Sequence, residues 1–233
     1  MDPETYVVKL SITEDSICPW CYIGWKEMER AIRQIEGDGL PIKFDIEFKP
    51  FRLDPSLSED MAIDMGRRNL DKFGPIRFSE IKNMIEARGG DVGIHFNWNG
   101  VVRQTGNSHR LIRHAYEKQM ERDKETQVTT GVDGLHVKLL SEVFEGQFER
   151  AEDTGDPEIL GGYCEKVGLM AKDEAISFLA GPEQRREVEE HFQEAETLGI
   201  TGIPHIVIHN RWAIVGVQTS DVYYRVFDIF ARQ

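Results

Sequence analysis

The chain has 233 residues, 40% of them hydrophobic, and a net charge of −13. This length and composition suffice for one large domain or for a domain with a sizeable insertion. The charge argues against a protein that binds nucleic-acid phosphates or an anionic membrane surface. The sequence lacks an N-terminal basic segment followed by an apolar one, and no stretch approaches the ~20 apolar residues that span a bilayer. We therefore expect a cytoplasmic protein with no nucleic-acid or membrane partner.

The beginning of the chain predicts a β-α-β unit. Residues 6–13 alternate in polarity and are rich in β-branched side chains, as in a strand. From Pro19 to about Ile35 apolar residues recur at helical spacing, and Pro19 suits a first helical turn because its missing N–H does no harm there. Residues 42–51 alternate again and predict the second strand.

The rest of the chain predicts a helical insertion followed by a return to strands. Residues 57–198 contain a series of helical segments broken by Gly, Pro or Asn, without a strong strand pattern. After them, "HIVIHN" and "WAIVGV" predict two strands and "SDVYYRVFDIF" a final amphipathic helix. We expect a discontinuous domain, residues 1–56 and 199–233, with residues 57–198 packed over its sheet as a lid domain.

The motif Cys18-Pro19-Trp20-Cys21 opens the first predicted helix directly after a strand. A helix N-terminus has a positive potential and free N–H groups, which favour the thiolate, the nucleophile of disulfide exchange. We expect Cys18 to be the attacking thiol and Cys21, one turn further in, the resolving thiol. Pro19 and Trp20 support the site, the first by holding the turn and the second by offering an apolar surface to a partner.

Two other interpretations of the motif are weaker. A structural zinc site needs four ligands, and the third cysteine, Cys164, stands alone in a helical segment, so we predict no metal. A buried pair without chemistry is disfavoured because the start of a helix after a strand is an exposed and electropositive place. With three cysteines in the chain, a disulfide is more consistent with transient chemistry than with a structural framework.

A second signal is Pro204, which stands immediately before the strand "HIVI". Proline removes a hydrogen-bond donor and is tolerated at the first residue of a strand. From local pattern alone a trans bond at the strand entry is the simpler interpretation. The helix-start cysteines shift the balance to a cis Ile203–Pro204 bond.

Taken together, these two features resemble the thioredoxin superfamily, and the helical insertion narrows the resemblance to its DsbA-like branch. The segments "SICPWCYIGWKEMERAI", "FKPFRLDP", "NSHRLIRHAY", "LLSEVFEGQFERAEDTGDPEIL" and "LGITGIPHIVIHNRWAIVGVQ" are similar to FrnE-type oxidoreductases, relatives of 2-hydroxychromene-2-carboxylate isomerases and kappa-class glutathione transferases. The fold that the resemblance implies is α/β, thioredoxin-like with a large all-helical insertion.

The resemblance implies dithiol–disulfide exchange, with Cys18 attacking and Cys21 resolving. Pro204 is then the cis-proline, and the backbone of Ile203 pairs with an extended peptide or a glutathione-like ligand. The expected partner is a disulfide or dithiol substrate, protein or small molecule, or glutathione. Glutathione is a candidate ligand or co-substrate, no cofactor is obligatory, and a homodimer is compatible with the family.

Three further residues are candidates with an ordinary structural alternative. His205 follows the proline and either tunes the thiolate or is a partly exposed strand residue. Asn107, in "TGNSHRLI", matches a family segment that faces the cleft and is a weak candidate for ligand binding, the alternative being a helix cap. Phe51 is a candidate for lining the cleft, although large aromatic residues more often belong to the core.

Two other functions remain open. The first is a glutathione-dependent isomerase or transferase acting on a small aromatic or polyketide-like substrate. The resemblance weighs against it, because those relatives carry serine where this chain has Cys18. The second is a non-catalytic binding module that holds a peptide in the cleft.

Overall fold

The computed structural model describes residues 5–232, so residues 1–4 and 233 of the predicted discontinuous domain lie outside the described residues. The strands are β1 Tyr6–Glu14, β2 Ile42–Pro50, β3 Ile63–Asp64, β4 Val101–Val102, β5 His205–Ile208 and β6 Trp212–Val215. The helices are α1 Pro19–Gly37, α2 Met65–Phe73, α3 Pro75–Gly90, α4 Gly106–Thr126, α5 Leu135–Phe148, α6 Pro157–Val167, α7 Lys172–Ala180, α8 Arg185–Thr197 and α9 Ser220–Ala231, with a 3-10 turn at Gly131–Asp133. The predicted order, β-α-β, helical insertion, β-β-α, is confirmed.

The main sheet has the strand order β2-β1-β5-β6. β1 and β2 are parallel, as the crossover through α1 requires, whereas β5 is antiparallel to β1 and to β6. Leu10 therefore lies between Ile46 of β2 and Ile208 of β5. The parallel pair ends at Glu14 and Pro50, and three residues separate Glu14 from Cys18.

One face of this sheet carries the core because its strands alternate. Val8, Leu10 and Ile12 of β1 are buried, and their neighbours on β2 are covered by α1 and α9. Phe44 on β2 meets Phe227 on α9 with ring centroids 4.9 Å apart. Trp25 on α1 meets Phe48 on β2 at 5.1 Å. This packing holds α1 and α9 against the sheet at β2.

The helical insertion closes against the edge strand β2. Arg113 on α4 donates to Glu47 at 2.6 Å, and Lys49 forms an ion pair with Glu194 on α8 at 3.2 Å. Such partly exposed ion pairs contribute little stability, and they show that α4 and α8 lie along this edge. One buried hydrophobic cluster includes side chains from the sheet, α1, α4, α5 and α6. The division into a 57–198 domain and a discontinuous domain stays a prediction.

Three short elements of the insertion, β3, β4 and α7, were not predicted. β3 and β4 pair as two-residue strands, Ile63 opposite Val102, and are too short to show a period of two. α7 buries only Ala175 and Leu179 on its inner face, which makes its apolar stripe too narrow to stand out. Within residues 5–232 no helix has both the length and the apolar composition needed to cross a membrane.

Candidate active site

Cys18 is the N-cap residue of α1. Its backbone is extended, and its Sγ accepts a hydrogen bond from the N–H of Cys21 at 3.3 Å. Its own N–H donates to the carbonyl of Asp15 at 2.9 Å, and its carbonyl accepts from Tyr22 at 3.3 Å. Pro19 stands in the first turn, as predicted. The sulfur of Cys18 therefore lies at the positive end of the α1 helix dipole, beside the amide groups of the first turn.

The two thiols of the motif have different surroundings. Both are free, and the residues are 4% and 2% exposed for Cys18 and Cys21. Cys18 lines a large pocket, whereas Cys21 faces a small internal cavity. Burial raises the pKa of the Cys21 thiol well above its ordinary value, and the hydrogen bond and charge of Cys18 and the charge of Glu14 add to the effect. Cys21 is therefore a poor nucleophile until its proton is removed.

The pocket beside Cys18 has a volume of about 410 Å³, within the range of small-molecule sites. Its walls are largely apolar and come from the motif, α2, α3 and the segment before β5. Among the lining residues are Trp20, Met65, Phe73, Phe78, Ile81 and Trp98. Arg68, Asn69 and Lys72 supply polar groups on the α2 side, and Arg68 is already paired with Asp54.

The loop before β5 meets the start of α1. The Ile203–Pro204 peptide bond is cis, and Ile203 lines the same pocket as Cys18. Pro204 packs against α1 at Gly24, where an added Cβ would lie 3.0 Å from the proline Cγ. A glycine at this position allows the close approach of loop and helix.

The predicted site residues fall into three places. Cys18, Pro19, Trp20 and Ile203 line the 410 Å³ pocket. Cys21 and Pro204 line an internal cavity of about 10 Å³ behind the motif. His205 is half-buried at the start of β5, opposite Thr13 of β1.

Phe51 and Asn107 do not line the pocket beside Cys18. The N–H of Phe51 donates to the carbonyl of Glu14 at 2.9 Å, which ties the chain after β2 to the end of β1. Asn107 donates to the carbonyl of Gly155 at 3.3 Å and lines a separate cavity of about 180 Å³ with Arg52, among others. The structure brings neither side chain to the two thiols.

A buried acidic cluster behind the motif was not predicted. Glu14, Asp15 and His109 are 2%, 1% and 1% exposed. The imidazole Nδ1 of His109 lies 3.6 Å from Glu14 Oε1, and its Nε2 lies 3.7 Å from Asp15 Oδ1. The available sequence signal was the adjacent acidic pair at the end of a strand just before the cysteines. Nothing in the local pattern connects that pair to His109 on α4.

The environment shifts the titration of this cluster. Burial raises the pKa of Glu14 to about 8, against the attraction of His109 and helped by the charges of Asp15 and Cys18. Burial alone lowers the pKa of His109, but its interaction with Asp15 and the charges of Glu14 and Asp15 outweigh that effect, so this pKa is raised. The carboxyl of Glu14 is therefore mainly protonated at neutral pH.

The remaining thiol lies apart from the motif. Cys164 on α6 has no exposed surface, and burial raises its pKa to about 12. In the part of the chain that the structure describes, His, Cys, Asp and Glu side chains form no group of three that could hold a metal ion.

Comparison with known proteins assigns most of the chain to one family. A model described as a DSBA-like thioredoxin domain matches residues 10–226. The uncharacterized protein YwbO of Bacillus subtilis (strain 168) is 23% identical over 225 residues, covering 93% of this chain and 94% of that protein.

Solved structures show the same fold. A probable DsbA oxidoreductase from Streptomyces coelicolor superposes with a TM-score of 0.73 at 24% identity, covering 95% of this chain and 89% of that one. The cytosolic disulfide reductase DsbM from Pseudomonas aeruginosa, solved with GSH, gives a TM-score of 0.59 at 14% identity, covering 97% of this chain and 100% of that one.

Proposed function

Because the chain belongs to the DsbA-like thioredoxin domain family, we propose that it is a thiol–disulfide oxidoreductase that uses Cys18 and Cys21. The observation that carries the proposal is the unequal placement of the two thiols. Both residues are buried, but Cys18 lies at a helix N-terminus and lines the 410 Å³ pocket, whereas Cys21 lies one turn behind it and lines the small internal cavity. An attacking and a resolving thiol need this difference.

In the proposed reaction two electrons pass from the dithiol to the substrate. The Cys18 thiolate attacks a substrate disulfide, forms a mixed disulfide and releases one substrate thiolate. Cys21 then loses its proton and attacks Cys18 Sγ, which forms the Cys18–Cys21 bond and releases the second substrate thiolate. The same steps in reverse oxidise a substrate dithiol.

The family resemblance indicates which residues hold the substrate, and the pocket beside Cys18 supports this assignment. In this proposal Pro204 and the backbone of Ile203 hold the substrate chain beside Cys18, while Trp20 and the apolar wall take its hydrophobic part. His205 remains a candidate for tuning the thiolate, and Asn107 and Phe51 have no contact that supports a role. Glutathione is a candidate ligand, as DsbM was solved with GSH. FrnE-type membership, a reducing cytoplasmic setting and a homodimer stay predictions.

Three cysteine variants test the reaction. We expect Cys18→Ser to abolish reduction of insulin or of a small aromatic disulfide with dithiothreitol as the electron source. We expect Cys21→Ser to accumulate a mixed disulfide, with glutathione or the substrate, that mass spectrometry detects on Cys18. Cys164→Ala is the matched control, because it removes a thiol outside the motif, and it should keep the wild-type rate. Activity that survives in Cys18→Ser contradicts the proposal.

The reduction potential of the Cys18–Cys21 couple determines whether the protein reduces substrate disulfides or oxidises substrate dithiols. Equilibration with glutathione buffers of known ratio, followed by alkylation and mass spectrometry, measures it. A value near that of thioredoxin points to a reductase, and a value near that of strong oxidants points to disulfide formation or isomerisation.

The pocket also supports a second function, a glutathione-dependent isomerase or transferase for a small aromatic or polyketide-like substrate. Its volume and its aromatic wall suit such a molecule beside Cys18. This function requires turnover with glutathione and an aromatic electrophile, without net oxidation or reduction. Absence of that turnover in protein that reduces disulfides removes this alternative. The third alternative, a binding module, predicts an ordinary alkylation rate at Cys18 and no turnover in either assay.

A further inference from the structure

We propose that the cavity of about 180 Å³ lined by Arg52, Arg110 and Arg185, here called the arginine cavity, binds a phosphate-type oxyanion. It lies between the segment after β2 and the first turns of α4 and α8, and it shares no lining residue with the pocket beside Cys18. Two glutamates also line it, so the charged side chains around it sum to a net positive charge. This is a local exception in a chain whose net charge is −13. The inference goes beyond the thiol–disulfide exchange proposed above and does not depend on it.

Arg110 on α4 is a buried cation without a counter-ion. It is 2% exposed, and its guanidinium donates to four backbone carbonyls and, at 3.4 Å, to the side-chain oxygen of Asn107. All these acceptors are uncharged, and among residues 5–232 no carboxylate forms an ion pair with Arg110. Burial and the charge of Arg185 lower its pKa, against the attraction of Glu183 and Glu59. Because a buried charge normally has a partner of opposite sign, an anion in the adjoining cavity would supply what this site lacks.

Arg52 has an unused donor beside the same cavity. Its guanidinium stacks on the ring of Phe192, with the guanidinium carbon 4.2 Å from the ring centroid, and its Nη2 donates to Glu189 Oε2 at 2.6 Å. The stacking and the ion pair hold the guanidinium plane in place. Its Nε is buried and has no hydrogen-bond partner in the part of the chain that the structure describes. A fixed guanidinium with a free N–H suits a phosphate oxygen.

The start of α4 adds backbone donors. Gly106 and Asn107, the first two residues of this 21-residue helix, line the cavity, and the N-cap residue Thr105 makes no side-chain cap. A helix N-terminus has a positive potential and amide groups that bind anions. A carboxylate already lies near this end, because a Cβ added at Gly106 would be 3.4 Å from Glu59 Oε1. Glu59 also pairs with Arg185 at 3.3 Å, so Glu59 and a bound oxyanion would compete for the same groups.

The arrangement matches a tetrahedral oxyanion better than a carboxylate. Arg52, Arg185 and the first turn of α4 reach the cavity from three different elements. Phosphate has an oxygen for each of them, whereas a carboxylate has two oxygens in one plane. The volume, about 180 Å³, is below the roughly 300–1,000 Å³ of sites for drug-sized ligands, so the ligand is a small ion or the phosphate group of a small molecule. Bound there, it would join the segment after β2 to the starts of α4 and α8.

Isothermal titration calorimetry with inorganic phosphate tests the site in the full chain, at neutral pH and at an ionic strength held constant with chloride. We expect saturable binding of one phosphate per chain and at least about tenfold weaker binding of acetate. Absence of saturable binding, or acetate binding as tight as that of phosphate, overturns the proposal. Glycerol phosphate, titrated in parallel, distinguishes the two sources of the ligand. Tighter binding than that of inorganic phosphate assigns the site to a phosphorylated small molecule, and weaker binding assigns it to the free ion.

Two variants of opposite expected effect locate the binding. Arg52→Gln removes the free donor and should weaken phosphate binding by at least about tenfold. Glu59→Gln removes the competing carboxylate and should strengthen binding by about threefold. Arg186→Gln and Glu190→Gln are the matched controls, because they make the same two charge changes at an exposed ion pair of α8 outside the cavity. The controls should leave the affinity unchanged, and effects equal to those of the two variants contradict the assignment.

A measurement on the wild-type protein covers the case in which the variants do not fold. In crystals soaked in selenate, a tetrahedral oxyanion, the anomalous signal of selenium should lie in the cavity beside Arg52 Nε and the first turn of α4. Signal at other places with none in the cavity overturns the proposal. Cys18→Ser should bind phosphate as the wild type does, so failure of the oxyanion site and failure of the proposed thiol–disulfide exchange are separate results.

Discussion

The imidazole Nδ1 of His109 lies 3.6 Å from Oε1 of Glu14, although one residue belongs to a helix of the insertion and the other ends the first strand. Both side chains are almost fully buried. An ionisable pair in this position couples the protonation of the sheet end to the packing of the insertion. It also makes the stability of the protein depend on pH.

The pH dependence follows from the two raised pKa values. Glu14 binds a proton more tightly in the folded state than in the unfolded state, so its contribution to stability is present at low pH. That contribution is lost as the pH rises from its ordinary pKa of 4.5 to about 8. His109 acts in the same sense, because its contribution is present below its ordinary pKa of 6.5 and is lost above its raised pKa. We expect the free energy of unfolding of the reduced protein to fall relative to that of Glu14→Gln between about pH 5 and pH 8. The difference should be about 3–4 kcal/mol, because a change of one in pKa corresponds to about 1.4 kcal/mol.

Urea unfolding at several pH values, with a reductant present, measures this difference. Glu80→Gln, a substitution at an exposed glutamate of α3, is the control and should give a curve parallel to that of the wild type. A Glu14→Gln curve that is also parallel to the wild type contradicts the assigned titration of Glu14.

Alkylation of the reduced, folded protein should distinguish its three thiols. We expect iodoacetamide to modify Cys18 at least about tenfold faster than Cys21 or Cys164 at neutral pH. Cys18 lines the open pocket, whereas burial raises the pKa of the other two thiols. Peptide mapping by mass spectrometry gives the order, and the denatured protein, in which all three should react, is the control. Equal labelling of Cys18 and Cys21 in the folded protein is the contrary result.

Gly24→Ala should destabilise the junction between α1 and the loop before β5. The added methyl group would lie 3.0 Å from Pro204 Cγ and 3.5 Å from Val217 Cγ2, so neighbouring groups must move. We expect a loss of about 1–3 kcal/mol in the free energy of unfolding, typical of overpacking. Gly162→Ala, inside α6 with nothing within 4 Å of the added Cβ, should instead gain up to about 1 kcal/mol. If both variants unfold at the same urea concentration, the close contact between Gly24 and Pro204 does not limit the size of the side chain at this position of α1.

Arg110 should be among the residues whose removal costs most stability. It is 2% exposed, and its guanidinium donates to the carbonyls of Phe178, Leu179, Gly181 and Glu183 at 2.7–2.9 Å around the end of α7. We expect Arg110→Ala to cost about 3–5 kcal/mol because four carbonyls, one buried and three partly buried, lose a charged donor at once. Arg67→Ala, which removes an exposed helical ion pair with Asp71, should change stability by no more than about 0.5 kcal/mol. Chemical denaturation of both variants and of the wild type measures these two changes in the free energy of unfolding.

Local patterns were enough to predict the main elements and part of the site. Strand alternation and helical spacing placed β1, α1 and β2 within one or two residues of their observed bounds. The cysteine pair at the start of α1 followed from Pro19 and the preceding strand. Together with Pro204 they led to the predicted DsbA-like thioredoxin fold with a helical insertion, which the family match confirms. Features of this kind are carried by residues close together in the chain.

The tertiary structure decided which distant residues join those elements. That two cysteines begin a helix after a strand, and that a proline precedes a later strand, could be predicted from the sequence alone, because capping and periodicity act over a few residues. Only the packing of the insertion brought His109 to Glu14, placed Asn107 on a different cavity and put the apolar wall of α2 and α3 beside Cys18. Such contacts depend on how helices dock on a sheet, and no local period encodes that docking.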